Sequence, residues 1–181
     1  MRSAMMVLTL AFVLSAVPVG VAAPQVPDVP EVPTLPKDPE IRNYRLSMQK
    51  MRQVIEVMRN LNAAAEANPE LVRQIERDAE AVSERPPLKE AAAQFEKYPA
   101  FRSAFSRAGT SAYDYTVAAA AMGHAWFSLE IKEGRLNPQA AHPPETPAEK
   151  ANLALLESNR AEWIKLRDEF IRLAENSPFM Q

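Results

Sequence analysis

The chain contains no cysteine. That absence excludes disulfides, thiolate zinc sites, thiol nucleophiles, covalently attached haem and a lipid anchor through cysteine. Glycine is scarce, with four residues against sixteen prolines. Sheet proteins use glycine in their turns, whereas helical proteins need it mainly at helix ends, so the composition leans helical. Histidine is scarcer still, and neither His124 nor His142 falls in an H-E-x-x-H or E-x-x-H spacing; no zinc or di-iron centre is expected. Serine occurs without a G-x-S-x-G elbow, which leaves hydrolase chemistry unsupported. Charge of one sign is lacking too: 21 basic residues face 23 acidic ones for a net charge of -2. No overall field would recruit nucleic acid. The reading is of a chain without a catalytic motif and without an expected cofactor or metal.

What is present begins with an address. Arg2 gives a positive start, Ala4 to Val17 forms an apolar run, Pro18 and Gly20 break it, and Val21-Ala22-Ala23 supplies small residues. This is the pattern of a Sec-type signal peptide over residues 1–23, with cleavage expected after Ala23 (Ala22 as the near alternative) and a mature chain starting at Pro24 in the periplasm or outside the cell. The competing reading is an uncleaved anchor, because Ser3 to Ala23 approaches the ~20 apolar residues that span a bilayer. Membrane attachment is expected only in that case.

Pro24, Pro27, Pro30, Pro33, Pro36 and Pro39 then recur with a period of three, the repeat of a polyproline II helix. The prolines line one edge, Val26, Val29, Val32 and Leu35 a second, and Asp28, Glu31 and Lys37 a third. A stiff spacer over residues 24–39 is expected, holding the domain roughly 50 Å from its start at ~3.1 Å per residue. The repeated P-x-x-P spacing also suits a docking ligand for an aromatic groove.

Residues 40–181 read as one all-α domain, an irregular bundle of about six helices. The first carries Ile41, Tyr44, Met48, Met51, Ile55 and Met58 at three-four spacing from Glu40 to about Glu66. The second opens at Asn68-Pro69-Glu70 and carries Leu71, Ile75 and Val82 towards Pro86-Pro87. Leu88 to Tyr98 and Ala100 to Ala108 are short, the latter ending at Gly109. The fifth begins at the capping arrangement Ser111-Ala112-Tyr113-Asp114 and runs to Gly134. The sixth begins at Thr146-Pro147-Ala148-Glu149 and runs to about Asn176. Because the fifth is apolar on two opposite sides, it is expected at the centre, packed tightly rather than around a cavity. The fifth and sixth are expected to be antiparallel, which would pair His124 with Asn159.

The stretch Tyr98-Pro99-Ala100-Phe101-Arg102, followed by Ala108-Gly109-Thr110-Ser111 and Asp114-Tyr115, resembles a family of uncharacterised exported helical proteins of bacteria. Members usually carry leucine after the glycine, where this chain has Thr110. The resemblance implies an exported helical fold and transfers neither an activity nor a catalytic residue.

Two features remain as functional candidates. Arg45, Arg52 and Arg59 follow an i, i+7, i+14 line on the first helix beside Met48, Met51 and Met58, a pattern able to engage anionic surfaces or apolar clients. The plainer expectation is that the arginines pair with Glu70, Glu76, Asp78 and Glu80 of the second helix. His124 lies on the apolar stripe of the fifth helix, where it is expected to be a satisfied core residue or, alternatively, an axial haem ligand with a methionine. His142 is expected in a solvated loop. The resulting reading is a non-enzymatic exported interaction module acting on an unidentified protein or envelope partner; the alternative is a small-ligand or haem-binding bundle centred on His124.

Overall fold

The computed structural model describes residues 38–79, 86–136 and 143–180. The segment expected to be a signal peptide, the proline repeat before residue 38, Glu80, Val82 and His142 lie outside them. Among the described residues there are eight α-helices, a final 3-10 turn and no strand. The fold class is therefore all-α, with more helices than the six expected, because two of the expected helices are each broken into two.

The first break follows α1 (Pro39–Asn43), which Asp38 caps by accepting from Glu40 N. Pro39, counted with the spacer from sequence, is instead the first helical residue. Tyr44 to Ser47 is not helical, and α2 (Met48–Ala67) then opens on its own cap, with Ser47 Oγ accepting from Lys50 N. The second break lies at Asn159, between α7 (Pro147–Ser158) and α8 (Arg160–Glu175). Asn159 donates its amide to the Leu155 carbonyl at 2.9 Å and to Ser158 Oγ at 3.1 Å. Asparagine satisfying backbone groups locally competes with continued helix.

The remaining elements start and stop at the local signals. α3 (Pro69–Ala79) and α5 (Pro99–Arg107) open on proline, α4 (Leu88–Glu96) follows Pro87, and α6 (Ala112–Lys132) is capped by Ser111 Oγ on Asp114 N. Gly109 and Gly134 follow α5 and α6 with φ of 66° and 72°, the left-handed conformation that favours glycine after a helix.

α6 is the central element: Tyr115 to Ala119 and Ala121 to Leu129 are all buried, and it packs on α1, α2, α4, α5 and α7. α2 is the second organiser, lying against α3, α5, α6, α8 and the 3-10 turn Pro178–Met180. The core between them contains Met51, Met58, Phe101, Met122, Leu129, Leu156 and Trp163. Two ring groups tie the layers. Phe95, Phe105 and Tyr115 form one, and Trp126 meets Trp163 edge-on at 6.0 Å. Truncating a side chain as buried as Trp163 costs about 3–5 kcal/mol.

Helix direction departs from expectation. His124 approaches Glu149, and Lys132 pairs with Glu157. The positions rise together, so α6 and α7 run parallel. The connection after Gly134 is long enough to carry the chain back along α6 before α7 begins, and a parallel neighbour needs such a return. α8 is likewise parallel to α2: Arg52 pairs with Glu162, Arg59 with Glu169, and Asn62 Nδ2 donates to the Leu173 carbonyl at 2.7 Å.

Candidate functional site

A dense polar cluster lies where α1 meets α6 and α7. Its centre is the first turn of α7. Thr146 is the N-cap, Pro147 presets the first helical φ, and Glu149 sits three residues on, so Thr146 Oγ accepts from Glu149 N at 3.1 Å while Glu149 Oε2 accepts from Thr146 N at 2.7 Å and Glu145 N at 2.8 Å. This reciprocal capping box orients the carboxylate through contacts local to its own helix.

The same carboxylate, only 4% exposed, is then used twice more. Arg42 Nε donates to Glu149 Oε1 at 2.8 Å, and Arg42 Nη2 donates to Glu145 Oε2 at 2.6 Å. His124 Nε2, from the middle of α6, stands 3.7 Å from Glu149 Oε1. Burial opposes the charge on Glu149, but Arg42, the two backbone N–H groups and His124 outweigh it and hold the carboxyl down at about 2. A carboxylate so committed is a fixed anion and not a proton acceptor near neutral pH.

Around this centre, α7 and its cap grip the backbone of the arm that leads into α2, and α6 holds the Tyr44 side chain. Thr146 Oγ donates to the Arg42 carbonyl at 2.6 Å. Asn152, one turn after Glu149, reads both sides of the extended stretch: its Oδ1 accepts from Leu46 N at 2.9 Å, and its Nδ2 donates to the Tyr44 carbonyl at 2.8 Å. The Tyr44 hydroxyl donates to Asp114 Oδ1 at 2.8 Å; Thr110 Oγ1 donates to Asp114 Oδ2 at 3.0 Å, and Lys50 pairs with that same oxygen. Burial of Asp114 works against ionisation, and Lys50, Tyr44 and Thr110 together reverse that effect, keeping its carboxyl below the ordinary range. Burial, then the facing Asp114, pushes the Tyr44 hydroxyl up.

The residues singled out from sequence are distributed differently. His124 is buried, as its apolar stripe required, but it faces Glu149 and not Asn159. Asn159 sits at the α7–α8 bend. The basic line on α2 does not meet the acids of α3: Arg52 and Arg59 reach Glu162 and Glu169 of α8, while Glu70 pairs with Arg73 and Arg77 of its own helix. Arg45 is exposed on the link between α1 and α2. Met51 and Met58 are core. No group of three or more histidine or acidic residues among those described is arranged to hold a metal.

The residues that carried the family resemblance serve as scaffold. The Tyr98 hydroxyl donates to Asp78 Oδ2 at 2.7 Å, Pro99 opens α5, Arg102 caps the Glu96 carbonyl at 2.5 Å, and Tyr115 lies inside the ring group. Asn152 and Asn62 were not singled out from sequence. Each is a polar residue on a buried helix face, and that placement was the available signal. No family model matches the chain, and neither a curated protein nor a solved structure matches it.

Proposed function

We propose that the chain is an exported, non-enzymatic helical interaction module, held away from its point of origin by the proline-repeat spacer and engaging an envelope or secreted partner through its helix faces. The observation that carries this reading is the anchoring of residues 38–47. The segment that leads from the spacer into the domain is gripped at Arg42, Tyr44 and Leu46 by α6 and α7. A spacer of low conformational entropy is useful as a presenting device only if its far end is fixed to the body it presents. The titratable centre supports the same reading, because Glu149 is held as a structural anion by Arg42 and its own helix cap. His124 facing that carboxylate gives no specific support to the haem alternative.

The test uses the full-length chain expressed with its own leader. The expected result is a species whose intact mass begins at Pro24, recovered from the periplasm or medium without a Soret band, and a discrete adduct from a photo-crosslinker placed at exposed Arg45. Retention of the uncleaved chain inside the cell, or a Soret band in the purified protein, would overturn the reading.

A further inference from the structure

The arm of residues 38–46 has the construction of a strap that opens on its own. α1 has five residues, far below the length at which an isolated helix is stable in water, so it exists only while docked. What docks it is discrete: Ile41 is buried, and the polar grips come from Asp114, Thr146, Glu149 and Asn152, all far along the chain. The helices on both sides of the contact carry their own caps. α2 carries its own cap at Ser47, one residue beyond the strap's last grip at Leu46, so undocking need not unravel it. α7 keeps its capping box between Thr146 and Glu149 when Arg42 leaves. Lys50 continues to pin the start of α2 to Asp114. The boundary between what opens and what stays is thus set at Ser47.

We infer that residues 38–46 are a releasable strap, a conformational device that docks on α6 and α7 to shorten the tether and, when released, lengthens the reach of the domain. The nine released residues span at most roughly 30 Å at ~3.3 Å per residue. A pull transmitted along the spacer acts first on Asp38 to Arg42, the end of the strap farthest from Ser47. Its use in adjusting reach rests on the presenting role above; the strap itself does not.

Native-state amide exchange on the full mature chain tests it. The reporters are the Arg42 and Tyr44 amides, which bond only within the arm, to the carbonyls of Asp38 and Ile41. The core references are Val57 and Leu61 of α2. Arg42 and Tyr44 should be protected but exchange faster than the references, through an opening insensitive to denaturant. Asn152→Ala removes both of its hydrogen bonds to the arm and should accelerate the Arg42 and Tyr44 amides about thirtyfold, with the references unchanged. Arg42→Ala serves as the second variant should Asn152→Ala fail to fold. Equal exchange of arm and core in both proteins would overturn the strap, since the arm would then open only with the domain. Arm amides without protection in the unsubstituted chain would overturn it equally. A strap found in a protein that yields no crosslinked partner would defeat the presenting role alone.

Discussion

Arg42 and Glu149 are 107 positions apart, yet they meet at 2.8 Å across a carboxylate that already caps its own helix. One acidic residue thereby performs a local and a long-range task. The local task orients it for the long-range one, so little side-chain entropy is left to lose when α1 docks.

This predicts an acid-labile fold. The carboxyl of Glu149 lies at about 2 in the folded protein against an ordinary 4.5. A depressed folded value contributes stability that is complete above the ordinary value and is lost as pH falls towards the folded one. Melting temperature should therefore decline between about pH 5 and pH 2. Glu149→Gln should lower stability at neutral pH by about 2 kcal/mol, the worth of a charged hydrogen bond, and flatten that decline. An unaltered acid profile in Glu149→Gln would assign the decline to other carboxylates.

His124 should couple to Glu149 and not to Asn159. In double-mutant cycles read by denaturant unfolding, His124→Ala with Glu149→Gln should be non-additive by about 1 kcal/mol, whereas His124→Ala with Asn159→Ala should add within ~0.5 kcal/mol. The reverse pattern would contradict the parallel packing of α6 and α7.

The arginine line should behave as a parallel ladder. Arg52 and Glu162 are exposed, so their attraction is worth only about 0.5 kcal/mol and is screened by salt. Arg52→Glu should destabilise by about twice that through like-charge contact, and adding Glu162→Arg should restore it. Restoration by reversing Glu76 of α3 instead would show that Arg52 faces α3 and not α8.

Asn62 should prove a costly polar residue. Its Nδ2 donates to the Leu173 carbonyl and its Oδ1 accepts from Ser177 Oγ at 2.9 Å, with Ser177 wholly buried. Asn62→Ala strands both partners and should cost about 1–3 kcal/mol for each, read by the denaturant midpoint. Asn62→Asp retains the acceptor for Ser177 while placing a charge against the Leu173 carbonyl, and should be at least as damaging.

Exposed polar pairs on α3 offer a contrast. Arg73 and Arg77 both reach Glu70 on the helix surface. Arg73→Ala should change the melting temperature by less than a degree or two, consistent with the small worth of surface pairs.

The sequence by itself determined the helical class, the central place of α6, and most helix ends. Those ends rest on short-range chemistry: Ser111 and Thr146 as caps, Pro69, Pro99 and Pro147 in first turns, and Gly109 and Gly134 at positive φ. The tertiary structure alone decided the two breaks, the helix directions and the charge partners. The breaks were hidden because the apolar spacing runs through them in phase: Ile41, Tyr44, Met48 and Met51 keep a three-four rhythm across Tyr44–Ser47, as do Leu156, Trp163, Leu166 and Phe170 across Asn159. Periodicity reports which face is buried and not whether the backbone stays helical between the buried positions. Direction was hidden because a long connection permits either sense of packing. Partner choice followed from direction, since a polar side chain on a helix meets whatever neighbour the fold lays beside it: Glu162 and Glu169 for Arg52 and Arg59, and Glu149 for His124.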